Sequence, residues 1–276
     1  MQVYNPQSIE EALVLLNDLG QAVKILAGGT DLLVHHKQGR IRLAQVLNLS
    51  RIQALSYIRE EGEALWIGPL TTHAEIAGSP LIRQYAGALA QAAAAVGSPQ
   101  IRNKGTIGGN IGTASPAGDT LPALVCLDAR LVLERLGGKR VVPVRRFFQG
   151  PGKHIMDPQE LITGIMVPKL KEDQVSAYVK LGPRRALAIA VASAAVKAKK
   201  AGNALFDVEA AFGSLGPTVM YFPLPQLQGI RPGQDDLWTR IQFIKDQVNP
   251  ITDIRGTREY RQEMAAALLY RALERL

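Results

Sequence analysis

The sequence predicts an α+β fold built in at least two units. Short apolar runs typical of strands and amphipathic runs typical of helices follow one another in mixed order along the chain. The composition turns polar over residues 168–173, between two groups of predicted strands. We therefore place a domain boundary there, with one unit over residues 1–172 and a second over residues 173–276.

The first unit is predicted to open with a capped helix. Ser8 and Glu11 form the pattern of a capping box, apolar residues then recur at helical spacing, and Gly20 ends the helix. Strands are expected over residues 23–26, 45–49 and 65–68. An Ala-rich helix is expected over residues 81–96 and a short helix over 121–127, with Asp119 or Thr120 as its N-cap.

A β-hairpin and a second group of strands are predicted farther along. Gly137 and Gly138 separate two apolar runs, which is a hairpin signal, and residues 161–167 form another strand. The second unit is expected to hold three strands and then two helices. The strands cover residues 175–181, 189–198 and 205–212, and the helices cover residues 235–248 and 258–276.

Bulk composition is that of a globular protein of moderate size. The chain has 276 residues, of which 47% are hydrophobic and 20% charged. No apolar run reaches the roughly 18 residues that a membrane span needs. The first residues show no basic region followed by an apolar stretch, so we expect no signal peptide and a cytoplasmic location.

The cysteine and histidine content argues against a metal centre held by this chain. Cys126 is the only cysteine, which excludes an internal disulfide and a cluster ligated by about four thiolates of this chain. Its apolar neighbours predict a buried small side chain. His35 and His36 are adjacent and would point in different directions, so a surface pair is a better interpretation than a ligand pair. His73 follows two threonines, and we expect it to serve in a cap or in packing.

The chain is basic, with a formal net charge of +8. A basic balance fits nucleic-acid binding in principle. Here the basic residues are scattered and only 5% of the residues are aromatic, so stacking platforms are scarce. Docking on an acidic protein or attraction of an anionic cofactor explains the charge equally well. We therefore expect no nucleic-acid partner.

Two glycine-rich segments carry the functional signal. The first reads Ala-Gly-Gly-Thr-Asp at residues 27–31, and the second covers residues 105–119 with five glycines, hydroxyl side chains and a closing Asp119. Glycine lets a backbone approach a ligand closely, and successive free N–H groups form anion-binding concavities. The first segment alone would equally suit a strand-to-helix turn capped by Thr30 or Asp31. The second is longer and more polar than a simple turn requires.

The common nucleotide-binding motifs are absent from both segments. No glycine triplet has the GxGxxG spacing of dinucleotide-binding folds, and no GxxxxGK[ST] phosphate loop is present. A GxSxG nucleophile elbow is also missing. The segments therefore belong to a less common type of phosphate or cofactor site.

The detailed residues resemble one flavoprotein family. Residues 27–33 (AGGTDLL), 97–110 (GSPQIRNKGTIGGN) and 115–119 (SPAGD) closely resemble the FAD-binding medium subunit of molybdenum hydroxylases. That family includes the flavoprotein subunits of xanthine, carbon monoxide and nicotinate dehydrogenases. The resemblance continues through residues 178–181 (YVKL) and 253–261 (DIRGTREYR), and so spans nearly the whole chain.

The resemblance implies both a fold and an assembly. The fold would be a two-subdomain FAD-binding module of the vanillyl-alcohol-oxidase type, with subdomains over about residues 1–55 and 56–172. A C-terminal α+β domain like that of carbon monoxide dehydrogenase flavoprotein would follow. Partner chains would be a large subunit with the molybdenum cofactor and a small subunit with [2Fe–2S] clusters. The implied activity is electron transfer from those clusters to NAD⁺ or another acceptor.

The resemblance also implies the cofactor-binding residues, by position. The first segment would hold the pyrophosphate and the second would form another backbone cradle. Thr113 and Asp119 would bind hydroxyl groups of the ribityl chain, and Gly112 stands where some relatives carry a larger aliphatic side chain over the flavin ring. The full set is Ile25, Leu26, Ala27, Gly28, Gly29, Thr30, Asp31, Thr106, Gly108, Gly109, Asn110, Thr113, Asp119, Ile162 and Lys180. No catalytic residue is assigned.

Two other functions remain open from the residues. One is a stand-alone flavin oxidase or reductase of the same fold, which would need no partner. The other is a binding module without catalytic activity, for an anionic nucleotide or a nucleic acid. Asp119 and Lys180 also keep structural alternatives, a helix cap for Asp119 and a solvated strand position for Lys180.

Overall fold

The computed structural model describes residues 1–184, 188–233 and 236–276. The amino-terminal part is a three-stranded parallel sheet in the order β1-β3-β2 with α1 packed on it. Its elements are β1 (Gln2–Tyr4), α1 (Ile9–Leu19), β2 (Val23–Leu26), α2 (Leu32–Lys37) and β3 (Gln45–Asn48). The predicted caps of α1 are confirmed, because Ser8 Oγ accepts from Glu11 N and Gly20 ends the helix with a positive φ.

The middle part combines an antiparallel sheet in the order β4-β5-β10-β6-β7 with a group of short helices. Between them lies a continuous apolar core. The elements are β4 (Ile58–Glu61), β5 (Ala64–Ile67), α3 (His73–Gly78), α4 (Pro80–Tyr85), α5 (Gly87–Ala94), α6 (Pro99–Arg102), α7 (Ile107–Thr113), α8 (Thr120–Cys126), β6 (Arg130–Arg135), β7 (Gly138–Pro143), β8 (Phe148–Gly150), β9 (Lys153–His154) and β10 (Leu161–Pro168). The predicted hairpin at Gly137 is confirmed, and Cys126 is fully buried.

The carboxy-terminal part is an antiparallel sheet of four strands in sequence order. Its elements are β11 (Gln174–Leu181), β12 (Ala192–Ala201), β13 (Ala204–Gly213), β14 (Met220–Pro223), α9 (Leu237–Arg240), α10 (Ile244–Gln247) and α11 (Arg258–Leu273). One face of this sheet packs on α11. The other face contributes Tyr178, Ala195 and Ala211 to the core of the middle part. The two faces of this sheet therefore pack in two different cores, which joins the middle and carboxy-terminal parts.

Tertiary packing changed two of the predicted helices. The Ala-rich helix predicted over residues 81–96 is divided at Ala86, where the backbone leaves the helical region. Ser176 of β11 explains the division, since its Oγ accepts from Ala88 N at 3.0 Å and so satisfies a free N–H of the first turn of α5. The helix predicted over residues 235–248 begins on Asp235, which lies outside the described residues, and continues as the separate helices α9 and α10.

Residues 107–113 of the second glycine-rich segment form a short helix, although so many glycines are more typical of a loop. Thr106 Oγ1 accepts from Gly109 N at 3.1 Å and caps α7. Glycine disfavours helix interiors by roughly 1 kcal/mol relative to alanine, which is why the sequence suggested a loop. Gly108 is nevertheless required, because a Cβ there would lie 2.7 Å from the Pro69 carbonyl oxygen. The close approach of two backbones has overridden helix propensity.

A buried arginine organises the carboxy-terminal part. Arg261 of α11 is 1% exposed, and its guanidinium donates to the carbonyl oxygens of Val191 and Ser214 at 2.6 and 3.1 Å. It also donates to Asp253 Oδ1 at 2.6 Å. Hydrogen bonds and charge from Arg255 and Arg261 hold the pKa of Asp253 well below its usual range. The resulting stabilisation is present above pH about 4 and is lost as the pH falls through that lowered pKa.

We predict that Arg261→Met destabilises the protein by about 3 kcal/mol, because it leaves two carbonyl groups and the Asp253 carboxylate short of a donor. Urea unfolding of the purified chain measures the change. Arg258→Met is the matched control, because Arg258 lies in the first turn of the same helix and is exposed. Equal unfolding midpoints for the two variants would contradict the assigned role of Arg261.

Candidate functional site

A cavity of about 830 Å³ lies where the three-stranded sheet meets the short helices. Both glycine-rich segments line it, as do residues before and at the start of β10 and the segment before β12. The structure brings most of the residues named from the sequence to this wall. They are Ile25, Ala27, Gly28, Gly29, Thr30, Asp31, Thr106, Gly108, Gly109, Asn110, Thr113, Asp119 and Ile162.

Two of the named residues do not line the cavity. Leu26 is the last residue of β2, and its side chain supports the turn at Gly29, where a Cβ would lie 3.2 Å from Leu26 Cδ1. Lys180 lies in β11 behind Asp119, with its ammonium group against the wall rather than on it. Leu26 and Lys180 therefore contact residues of the lining without belonging to it.

The two glycine-rich segments touch each other at Gly28. A Cβ on Gly28 would overlap the carbonyl oxygen of Lys104, so only glycine allows the two backbones to meet. The adjacent Gly29 has a φ of 73°, which a residue with a side chain rarely adopts. A glycine pair is therefore required where β2 turns into α2.

A side-chain hydrogen bond joins the same segments farther along. The Thr113 hydroxyl donates to Asp31 Oδ2 at 3.2 Å, across 82 positions of sequence. The possible cap role of Asp31 is not supported by this geometry, since its carboxylate makes no capping hydrogen bond to α2. Asp31 instead helps to hold the opposite wall of the cavity in place.

Open space begins at Gly112. A Cβ built there meets no atom within 4 Å, although Gly112 belongs to the cavity lining. A larger side chain at this position would project into the cavity. The helix α7 thus presents a bare backbone surface on which a flat ligand group can lie.

Asp119 is the buried charge of the wall. It is 8% exposed, and its carboxylate accepts from Lys180 Nζ at 2.6 Å and from the Tyr178 hydroxyl at 3.1 Å. Asp119 precedes α8 but makes no capping hydrogen bond with its side chain, so the cap interpretation is wrong. Burial raises the pKa of Asp119, and the nearby ammonium group of Lys180 opposes that rise. Lys180 is mostly buried and also donates to the Ala95 carbonyl oxygen, so it is not a solvated strand residue.

His73 is a lining residue whose position the sequence did not reveal. It is 2% exposed at the start of α3, and its Nδ1 is buried without a hydrogen-bond partner. The helix cap is made by Thr72, whose hydroxyl accepts from Glu75 N at 3.2 Å. In the sequence, the only sign of this position was a histidine directly after a capping threonine. That pattern does not indicate whether the ring faces a cavity.

The residues before β10 were missed entirely. His154, Met156, Asp157, Pro158 and Glu160 line the cavity. No motif marks them in the sequence, because they meet the glycine-rich segments only through the fold. Among the residues that the structure describes, no group of three or more His, Cys, Asp or Glu side chains is placed to hold a metal ion. In that same part of the chain, every helix is too short or too polar to cross a membrane.

Family models match both parts of the chain. The model described as the FAD binding domain in molybdopterin dehydrogenase matches residues 1–170. The chain belongs to this family of FAD-binding subunits of molybdenum hydroxylases. A second model, described as the CO dehydrogenase flavoprotein C-terminal domain, matches residues 177–276.

Individual relatives are similar over most of the chain. The carbon monoxide dehydrogenase medium chain of Hydrogenophaga pseudoflava is 32% identical over 99% of this chain and 95% of its own length. The nicotinate dehydrogenase FAD-subunit of Eubacterium barkeri is 38% identical over 73% of this chain and 70% of its own length. These matches confirm the family expected from the glycine-rich segments.

Solved structures of this family share the fold. A chain of carbon monoxide dehydrogenase from Hydrogenophaga pseudoflava superposes with a TM-score of 0.92 at 31% identity, over 99% of this chain and 96% of that one. A chain of quinoline 2-oxidoreductase from Pseudomonas putida has the same TM-score at 20% identity, over 100% and 96%, and supports the fold alone. The expected FAD-binding module followed by an α+β domain is confirmed.

The residues present fit the FAD that the family binds. The cavity volume falls within the roughly 300–1,000 Å³ typical of small-molecule sites. The bare backbone at Gly112 leaves room for a ligand, because a Cβ there meets no atom within 4 Å. Polar side chains of both glycine-rich segments belong to the lining, among them Thr30, Asn110 and Thr113, as expected for a ligand with polar groups.

We predict that Gly28→Ala disrupts the contact with Lys104 and destabilises the protein by about 3 kcal/mol, as overpacking of a tight site does. Thermal unfolding without added ligand measures this effect. Gly78→Ala is the control, because a Cβ there meets nothing within 4 Å. A melting temperature of Gly28→Ala close to that of the control would show that the two segments do not meet at this point.

Proposed function

We propose that this chain is the electron-transfer flavoprotein subunit of a molybdenum-containing hydroxylase or dehydrogenase. The observation that carries the proposal is the cavity walled by two glycine-rich segments within a chain of this family. The chain would receive electrons from [2Fe–2S] clusters of a small partner subunit, with the molybdenum cofactor in a large partner subunit. NAD⁺ or another acceptor would take them up.

Different residues of the cavity wall bind different parts of FAD. The backbone of residues 27–31 holds the diphosphate, because this glycine turn offers N–H groups to an anion. The N–H groups of residues 107–110 already donate to Thr71, Pro69 and Thr106, so this segment lies along the cofactor without donating to the diphosphate. The Thr113 hydroxyl and the Asp119 carboxylate accept hydrogen bonds from sugar-like hydroxyls, and Ile162 packs on an apolar part of the cofactor. Lys180 keeps Asp119 in place from behind the wall.

No residue of this chain needs to act on the substrate that the complex hydroxylates. FAD, when bound, supplies chemistry that accepts electrons singly or in pairs, which suits a relay between one-electron clusters and a two-electron acceptor. The chain contributes position and electrostatics. Its buried Asp119–Lys180 pair fixes one carboxylate in the wall, and Leu161 and Ile162 add apolar surface to the lining.

The visible spectrum of the purified chain tests the proposal. The chain with added FAD should retain the cofactor through gel filtration and show flavin absorption bands. Protein that stays colourless would refute the assignment. Anaerobic NADH added to the loaded chain should bleach the bands if NAD⁺ is the acceptor, and unchanged bands would assign another acceptor. Bleaching by a small organic substrate without any partner would favour a stand-alone oxidase instead.

We predict that Asp119→Ala weakens FAD binding about tenfold or more, since a hydrogen bond to a charged group is worth roughly 1.5–3 kcal/mol. Titration of flavin fluorescence measures the dissociation constant. Glu209→Ala is the matched control, because Glu209 pairs with Lys197 of the same sheet and lies outside the cavity lining. If Asp119→Ala and the control bind FAD equally well, Asp119 only anchors the carboxy-terminal sheet.

A further inference from the structure

The imidazole of His73 is a polar group in the cavity wall that makes no hydrogen bond to the part of the chain that the structure describes. His73 lines the cavity, is 2% exposed, and has a buried Nδ1 that lacks a hydrogen bond. A buried polar atom without a partner costs roughly 1–3 kcal/mol, and such groups in native proteins call for an explanation. A ligand that accepts a hydrogen bond from the other ring nitrogen, Nε2, would leave Nδ1 as the one unpaired nitrogen of the ring.

The structural contacts that His73 makes do not explain why its side chain is an imidazole. Thr72 and Glu75 make the capping box of α3 between them, so the His73 side chain is not needed as a cap. Only the backbone N–H of His73 is used, and it donates to the Gly105 carbonyl oxygen at 3.0 Å. Packing alone would be served as well by an apolar side chain, without the unpaired nitrogen.

The ring lies next to the point where the two glycine-rich segments meet. A Cβ built on Gly105 would lie 3.2 Å from His73 Cδ2 and also 3.2 Å from Thr30 Oγ1. The neighbouring Lys104 carbonyl is the group that touches Gly28. The imidazole edge that carries Cδ2 and Nε2 is therefore beside the backbone cradle to which we assign the diphosphate.

The ring is neutral at physiological pH. Burial, together with the positive charge of Arg102 nearby, lowers the pKa of His73 to about 4. A neutral imidazole carries one proton, on either nitrogen. A buried N–H without an acceptor is rarer than an unpaired acceptor, so the proton belongs on Nε2 and Nδ1 stays bare. His73 thus offers one neutral donor at the cavity wall.

We propose that His73 is a cofactor-binding residue whose Nε2–H donates to an oxygen of the FAD diphosphate. The proposal rests on the proposed function, because it takes FAD as the ligand of the cavity. An uncharged donor strengthens the hold on the diphosphate without adding a buried positive charge beside Arg102. The backbone of residues 27–31 and the imidazole would then both donate to the diphosphate.

Three substitutions at position 73 separate binding from packing. His73→Phe keeps a ring of similar shape without nitrogen, His73→Gln restores a donor near the position of Nε2, and His73→Asn places one near Nδ1. We expect the dissociation constant for FAD to rise about tenfold or more in the Phe and Asn variants. The Gln variant should stay within roughly threefold of the parent chain, as expected when one hydrogen bond is largely kept.

Phosphorus NMR of bound FAD reports on the diphosphate directly. We expect its resonances to shift in the Phe variant and to return toward the parent positions in the Gln variant. His36→Leu is the control, since His36 is exposed and bonds only the Ile41 carbonyl oxygen. This control should leave both the dissociation constant and the resonances unchanged.

The outcomes distinguish this proposal from the proposed function. If the parent chain does not bind FAD, the proposed function fails. If the parent binds FAD and the Phe variant binds it equally well with unchanged phosphorus resonances, only the assignment of His73 is overturned. Should the Phe variant fail to fold, the Gln and Asn variants decide, because equal affinity of those two would also overturn the assignment.

Discussion

The contact between Gly28 and the backbone of Lys104 is the constraint on which the site depends. It brings the turn after β2 against the segment before α7, two stretches about seventy-six positions apart, at a distance that no side chain allows. The cavity opens on the far side of this contact. Gly108 makes a similar close backbone contact with Pro69. The glycine-rich composition of the wall is therefore partly a requirement of chain packing and partly room for a ligand.

The carboxy-terminal sheet completes the wall from behind. Tyr178 and Lys180 of β11 converge on Asp119, and Arg275 near the end of the chain donates to the Tyr178 carbonyl oxygen at 3.0 Å. Asp119 is thus held by residues about sixty positions away from it. The ion pair is well hydrogen-bonded, which is the condition under which a buried charge is tolerated.

Sequence reasoning recovered most strands and the residues of both glycine-rich segments. It was wrong about the conformation of the second segment, because glycine at three of seven positions outweighs any local helix signal. Besides a role in cofactor binding, it kept a helix cap as an alternative for Asp119 and Asp31, which is the usual use of an acid at that place. In the folded chain both carboxylates face partners from distant segments instead, Lys180 and Tyr178 for Asp119, and Thr113 for Asp31.

The sequence by itself determined the family, the α+β class and the two segments that build the cavity. Local sequence patterns predict those properties, namely apolar periodicity and the order of small and polar residues. Only the tertiary structure decided that Lys180 acts through Asp119, that His73 borders the cavity, and that residues 154–160 form part of its lining. Each of these depends on the packing of segments far apart in sequence, and no local pattern records which distant side chain will be the neighbour.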